Sequence, residues 1–339
     1  MIRGLFKVWV AAVWGPLIAA SGLLCGAMVN DAGAQNLVPV TVRLAFIYNG
    51  HRSPYLLGED KGFYREEGLQ VKVFEGKGVT SSMQLVASKQ DTFAIVDPPS
   101  LMLGVAQGMP IRQVVQLYQV SPNAVISWPA VGVKTPADLV GKTVATLQGD
   151  TTTTMLLAML ARNKVDPGQV KIVASDGGTR NQTFLSKRAD VITGFINDSL
   201  IGLGDTAGTK LNYFPYSDFG VDTMGDGVAA HADTIRSTPN VVRGFVRGTL
   251  RAYRYALEHP EEAIASLAKV APNVKPAVEV EKLKATARLL ESADTKANGI
   301  GYSSKEKWAS TQAMMLQFGG LTKSDDDVSV YYTNEFLPK

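Results

Sequence analysis

Three aspartates, Asp97, Asp198 and Asp218, each follow or closely trail an apolar stretch, positions from which a carboxylate can face a ligand. A carboxylate accepts hydrogen bonds and cannot donate them. Acids converging on one cleft would therefore select a ligand with amino or ring N–H donors. Tyr48, Tyr118, Phe195 and Phe219 could supply stacking faces for a flat ring. The turns around these residues are rich in glycine and small polar side chains. They give Tyr48-Asn49-Gly50-His51, then Gly76 to Ser81 with Gly78 and Thr80, and then Asp97 to Ser100. Further along come Gln148 to Thr152 with Asp150 and Thr152, Phe195 to Asp198 with Asn197, and Asp218 to Gly220. Serine and threonine at such places also cap helices whatever the function. The three aspartates are read as placed to cap no long helix.

Other chemistries find less support. The chain has no GxSxG, HExxH, P-loop or EF-hand pattern, so no catalytic residue is assigned. His51, His231 and His259 are far apart in sequence and offer no metal-ligand spacing, so no metal and no cofactor are expected. A secreted hydrolase would need a serine paired with His51 or His231, which no spacing supports. An anionic ligand is the stronger alternative: Arg52, Lys77 and Arg180 lie in expected loops at the same end, and helix starts at Thr80 and Thr151 could offer N–H groups.

The elements that must position these residues follow from periodicity. Strands are expected over 41–48, 71–75, 93–96 and 111–120, with helices from 81 to 88 and after Ser100, an α/β layout with a mainly parallel sheet. The pattern restarts with a capped turn at 134–139, strands at 143–147, 170–174 and 191–195, and helices at 151–163 and 181–187. After Phe219 the periodicity turns helical, with Val242, Phe245, Val246, Leu250, Tyr253 and Leu257 on one face. Pro260 opens the next helix, and Gly319-Gly320 stops one that begins at Lys305. In open α/β sheets ligands bind beyond the carboxyl ends of the strands, which is where the polar turns fall.

The 339 residues are enough for about two domains. With 45% hydrophobic and 19% charged residues the balance is globular. The net charge is +3 and no run of Lys and Arg exceeds two, so no nucleic-acid partner is expected. The one cysteine, Cys25, excludes a disulfide scaffold and a cysteine-ligated zinc site. It lies in an uncharged stretch, Val8 to Asn30, that follows Arg3 and Lys7 and precedes Ala32-Gly33-Ala34. This is the layout of a secretory signal over 1–34, cut after Ala34, and it implies a secreted protein. Leu24 before Cys25 argues against a lipid anchor, and Gly15, Pro16 and the small-residue ending argue against an uncut membrane span.

Several segments carry a family resemblance. GEDKGFYREEGL (Gly58 to Leu69) and KTPADLVGK (Lys134 to Lys142) resemble segments of periplasmic substrate-binding proteins of the NMT1/THI5-like and SsuA-like group. DFGVD from Asp218, ALEHPEEA from Ala256 and YTNEFLP from Tyr332 are similar too. The resemblance implies a type II periplasmic binding-protein fold, two α/β lobes joined by two crossings and closing over a small ligand. It places lobe 1 at 38–126 and 225–339 and lobe 2 at 127–224. It further implies a monomer that hands its ligand to an ABC permease. Members of the group bind aminopyrimidines related to the thiamine precursor, riboflavin, sulfonates such as taurine, or nitrate-like anions. The cysteine-rich motif of the eukaryotic synthase relatives is absent, so their chemistry is not carried over.

Overall fold

The computed structural model describes residues 36–148 and 150–338. The signal segment expected over 1–34, with its cut after Ala34, lies outside the described residues. The chain begins with β1 (Val38–Arg43), α1 (Ser53–Asp60), β2 (Leu69–Phe74), α2 (Val79–Ala87), β3 (Phe93–Val96), α3 (Pro98–Ala106) and β4 (Ile111–Gln116). A second run gives β5 (Asn123–Ser127), β6 (Thr143–Leu147), α4 (Thr151–Arg162), β7 (Lys171–Ser175), α5 (Gly177–Leu185), β8 (Val191–Phe195), α6 (Ser199–Ala207) and β9 (Asn212–Pro215). The last run is β10 (Gly227–His231), α7 (Ala232–Ser237), α8 (Pro239–Glu258), α9 (Pro260–Val270), α10 (Pro276–Leu290), α11 (Ala293–Asn298) and α12 (Lys305–Gln317).

Two five-stranded sheets result, in the orders β2-β1-β3-β10-β4 and β7-β6-β8-β5-β9. Both are mainly parallel, as the pattern suggests, with four strands running one way and a single strand opposed. β10 runs antiparallel to β3 and β4, and β5 runs antiparallel to β8 and β9. The strand patterns explain the order. β3 (Phe-Ala-Ile-Val) is buried on both faces and sits centrally, as continuous apolar runs do. β2 alternates buried Leu69, Val71 and Val73 with exposed Gln70, Lys72 and Phe74, and lies at an edge where an outward lysine blunts pairing. α8 lays Val242, Phe245, Val246 and Leu250 against the first sheet, where the rings of Phe245 and Phe93 stack at 4.1 Å.

The chain passes between the sheets twice, at 117–122 and 216–226. β5 belongs to the second sheet, so the expected boundary after 126 moves forward to the first of these segments. The two crossings are bonded side by side: Tyr118 N–H donates to Asp226 O (2.9 Å), Gly225 N–H to Tyr118 O (2.9 Å) and Ser121 N–H to Thr223 O (2.7 Å). Gln116 Nε2 donates to the carbonyls of both Tyr118 and Gly225. Gly225 permits this approach, since a Cβ there would lie 2.8 Å from Pro122 Cδ. Among the described residues no helix is long and apolar enough to cross a membrane.

Candidate functional site

A cleft of about 390 Å3 opens at the carboxyl ends of β1, β3, β6 and β8, a volume suited to a small ligand. The first lobe contributes the segment after β1, Gly78 ahead of α2, and Asp97 after β3. The second contributes the start of α4, Arg180 on α5, and Phe195 and Asp198 after β8. Asn123 and Asp226 enter beside the crossings, and α10 sends in Glu279 and Lys282.

Of the residues read from the sequence, Tyr48, Asn49, His51, Gly78, Asp97, Asp150, Thr152, Phe195 and Asp198 line this cleft. Four do not. α2 starts at Val79, so Gly78 and Val79 face inward while Thr80 is exposed. Tyr118 is fully buried behind the site, its hydroxyl 3.0 Å from His51 Nδ1. Asn197 is buried and donates to Thr286 Oγ1 (3.0 Å). Asp218 is exposed in the short 3-10 turn Tyr216–Phe219 that follows edge strand β9, so it does not join the other two acids. Asp97 also corrects an expectation, because it does cap a helix: its carboxylate accepts from Ser100 N–H (2.9 Å) and Oγ–H (2.6 Å) at the start of α3.

Sequence reasoning missed Phe46, Asn123, Asp226, Glu279 and Lys282. Asp226 was hidden because it precedes β10, a strand inside a region that reads as helical. Glu279 and Lys282 sit three apart on α10, a spacing that marks one face of a helix but gives no sign that the face meets a cleft.

The charges in the cleft are mostly paired. Arg52 Nη2 lies 3.2 Å from Asp226 Oδ2, and both side chains are nearly inaccessible. Lys282 Nζ lies 3.0 Å from Asp198 Oδ1 and 2.8 Å from Glu279 Oε1. Burial pushes Asp198 up, but the Lys282 ammonium, with His51 and Arg52 added to it, holds the carboxyl below its ordinary value. His51 is lowered to about 3 by burial and by the neighbouring Arg52 charge, so its imidazole is neutral. Burial raises Asp97 to about 6 against its two Ser100 bonds, and Asp150 and Asp226 add repulsion. Asn49 Oδ1 and Asn123 Oδ1 are buried at the cleft without a hydrogen-bond donor among the described residues. The wall is therefore rich in acceptors.

The lobes touch across this space. Thr151 Oγ1 of α4 lies within hydrogen-bond reach of Asp97 Oδ1 (3.4 Å) and of Ser100 Oγ (3.2 Å). The His51 ring meets Phe195 edge-on at 6.3 Å. Phe46, after β1, rests on Gly177 at the start of α5, where an added Cβ would lie 2.7 Å from Phe46 Cζ. Gly177→Val should disfavour this closed arrangement by about 1–3 kcal/mol through overpacking. Small-angle scattering would show a larger radius of gyration; an unchanged radius would mean that Phe46 simply moves aside.

Two mixed α/β lobes, two bonded crossings and a cleft at the strand ends define a periplasmic-binding-protein fold. The structure superposes with a TM-score of 0.67 on the alkanesulfonate-binding protein SsuA from Xanthomonas axonopodis pv. citri bound to MOPS, at 14% identity, covering 87% of this chain and 99% of that one. The chain belongs to the NMT1/THI5 like family, whose model matches residues 49–263. Among curated relatives, the riboflavin-binding protein RibY of Chloroflexus aurantiacus is 26% identical over 319 residues, 91% of this chain and 89% of the relative. The formylaminopyrimidine-binding protein of Halalkalibacterium halodurans is 25% identical over 296 residues, 86% of this chain and 89% of the relative.

Proposed function

We propose that the chain is an extracytoplasmic, monomeric receptor that holds a small nitrogen heterocycle between its lobes and delivers it, chemically unchanged, to an ABC permease. The observation that carries this reading is the acceptor-rich cleft wall. Asp97 and Asp198 offer carboxylate oxygens, and Asn49 and Asn123 offer buried amide oxygens without donors. Phe46, Tyr48 and Phe195 border the same space and can enclose a flat ring. An aminopyrimidine presents amino N–H donors to match the acceptors, and the names of relatives that bind a flavin and an aminopyrimidine agree with this chemistry. A ligand touching both lobes would favour their closed arrangement by its differential affinity.

Residues 35–339, refolded to strip bound ligand, should show a raised unfolding temperature with 4-aminopyrimidine, because a ligand that binds only the folded state stabilises it. Asp97→Asn and Asp198→Asn should each weaken that binding by at least about tenfold, the scale of a hydrogen bond to a charged group. Unchanged affinity in both variants would remove the acids from the site. Recovery of the probe unaltered after long incubation is the expected result for a receptor, and a new product would make the protein an enzyme.

A further inference from the structure

Three cations border the cleft, and two of them are already neutralised: Arg52 by Asp226, and Lys282 by Asp198 and Glu279. The third, Arg180 on α5, has no carboxylate oxygen within the 4.0 Å of an ion pair among the described residues. Its guanidinium is nonetheless held in place. Nε and Nη2 donate to Asn181 Oδ1 (3.2 and 3.0 Å), and Nη1 donates to Thr193 O on β8 (3.2 Å). A guanidinium has five N–H donors. Those three bonds leave one N–H on each terminal nitrogen. The nearest carboxylates are committed elsewhere: Asp150 caps α4 through Thr152 N–H (2.7 Å) and Oγ–H (2.8 Å), and Asp198 is held by Lys282. Burial works against the Arg180 charge more strongly than Asp150 and Asp198 support it. A fixed, partly desolvated cation without a counter-ion, set in a ligand cleft, is an acceptor-binding group waiting for an acceptor.

We propose that Arg180 receives a carboxylate carried on the heterocycle, so that the ligand is bipolar, with N–H donors facing the acids of the cleft and an anionic group facing α5. The inference rests on the heterocycle reading above and deepens it. The two remaining N–H groups suit two carboxylate oxygens better than a single carbonyl. Lys77, the remaining basic residue considered for an anionic ligand, is exposed and does not border the cleft. Arg180 is thus the one cation that can take this part among the described residues of the wall.

The test compares three probes on the full mature chain by calorimetry: 4-aminopyrimidine, 4-aminopyrimidine-5-carboxylate and benzoate. The carboxylated pyrimidine should bind at least about tenfold more tightly than the neutral one, the scale of a charge-assisted hydrogen bond. In Arg180→Gln that ratio should fall to near one, and Arg180→Lys should retain part of it. Circular dichroism of both variants establishes that α5 is intact. A ratio near one in the native protein, or a ratio that survives Arg180→Gln, overturns the inference and leaves the heterocycle reading standing. Binding of benzoate alone, lost in Arg180→Gln, overturns the heterocycle reading and supports the role of Arg180. Failure of all three probes to bind overturns both.

Discussion

Lys282→Met is expected to lower the unfolding free energy by about 3 kcal/mol at pH 7, the scale for removing one partner of a buried ion pair. The lysine side chain is 12% exposed, and its ammonium lies between Asp198 of the second lobe and Glu279 of its own helix. Burial opposes its charge, yet the two carboxylates outweigh burial and raise it above its ordinary value. Without the ammonium, two carboxylates, one of them 8% exposed, face one vacated point. Methionine fills the volume of the lysine stem, so the loss reports charge and not a cavity. Asp198 remains 29% exposed to the cleft and water can reach it, which places the effect at the low end of the range. The loss should shrink as pH falls, because a proton on either carboxylate removes the repulsion. Adding Glu279→Gln to Lys282→Met should recover part of it at pH 7. Urea unfolding at pH 7 and pH 5 provides the check, and a loss below about 1 kcal/mol would mean that the triad behaves as a surface pair. The effect would extend to closure, since Lys282 joins α10 of the first lobe to Asp198 of the second.

How much of this is legible in the sequence depends on range. The strands at 93–96, 143–147 and 191–195 and the long amphipathic helix α8 can be read closely, because their signal is local: an apolar run of strand length, or steps of three and four. The polar turns after those strands are also legible, since ligand sites in open sheets gather there, and nine of the thirteen residues read as site residues line the cleft. What fails is non-local. β5, β9 and β10 are short and take up strand geometry only by pairing with distant partners, Val125 with Thr193 and Phe214, and Val228 with Ile95 and Val115. With β10 unseen, Asp226 has no reason to be placed in the cleft. Asp218 fails for a different reason: it trails edge strand β9 in a 3-10 turn that leaves its side chain exposed and outside the cleft lining. The Lys282 triad is the least visible, because Asp198 and Lys282 are joined only by the way α10 packs back against α6.

Asp97 should make both stability and binding depend on pH, in opposite directions. Burial raises its carboxyl from an ordinary value of 3.8 to about 6, so the folded chain holds this proton more tightly than the unfolded chain does. Between those two values the native state binds more protons, and stability therefore rises as pH falls from 7 towards 4. At pH 7 the charged group burdens the ligand-free protein by about 2 kcal/mol, after allowing for its partial exposure to the cleft. The amide introduced by Asp97→Asn can still cap α3 through Ser100, since asparagine is as good a capping residue as aspartate. The variant should therefore be more stable than the native chain at pH 7 and match it near pH 4, a difference that isolates this group from every other acid. Binding runs the other way. A donor N–H needs the ionised carboxylate, so affinity for a neutral N–H donor that does not itself titrate should fall about tenfold per pH unit below 6. In Asp97→Asn affinity should be weak and flat across the same interval. A receptor that gives up stability to keep an ionised acid in its cleft would behave in this way. Denaturation and calorimetry from pH 7 to pH 5 decide the matter: a variant less stable than the native chain at pH 7, or native affinity that ignores pH, would show that Asp97 serves α3 and not the ligand.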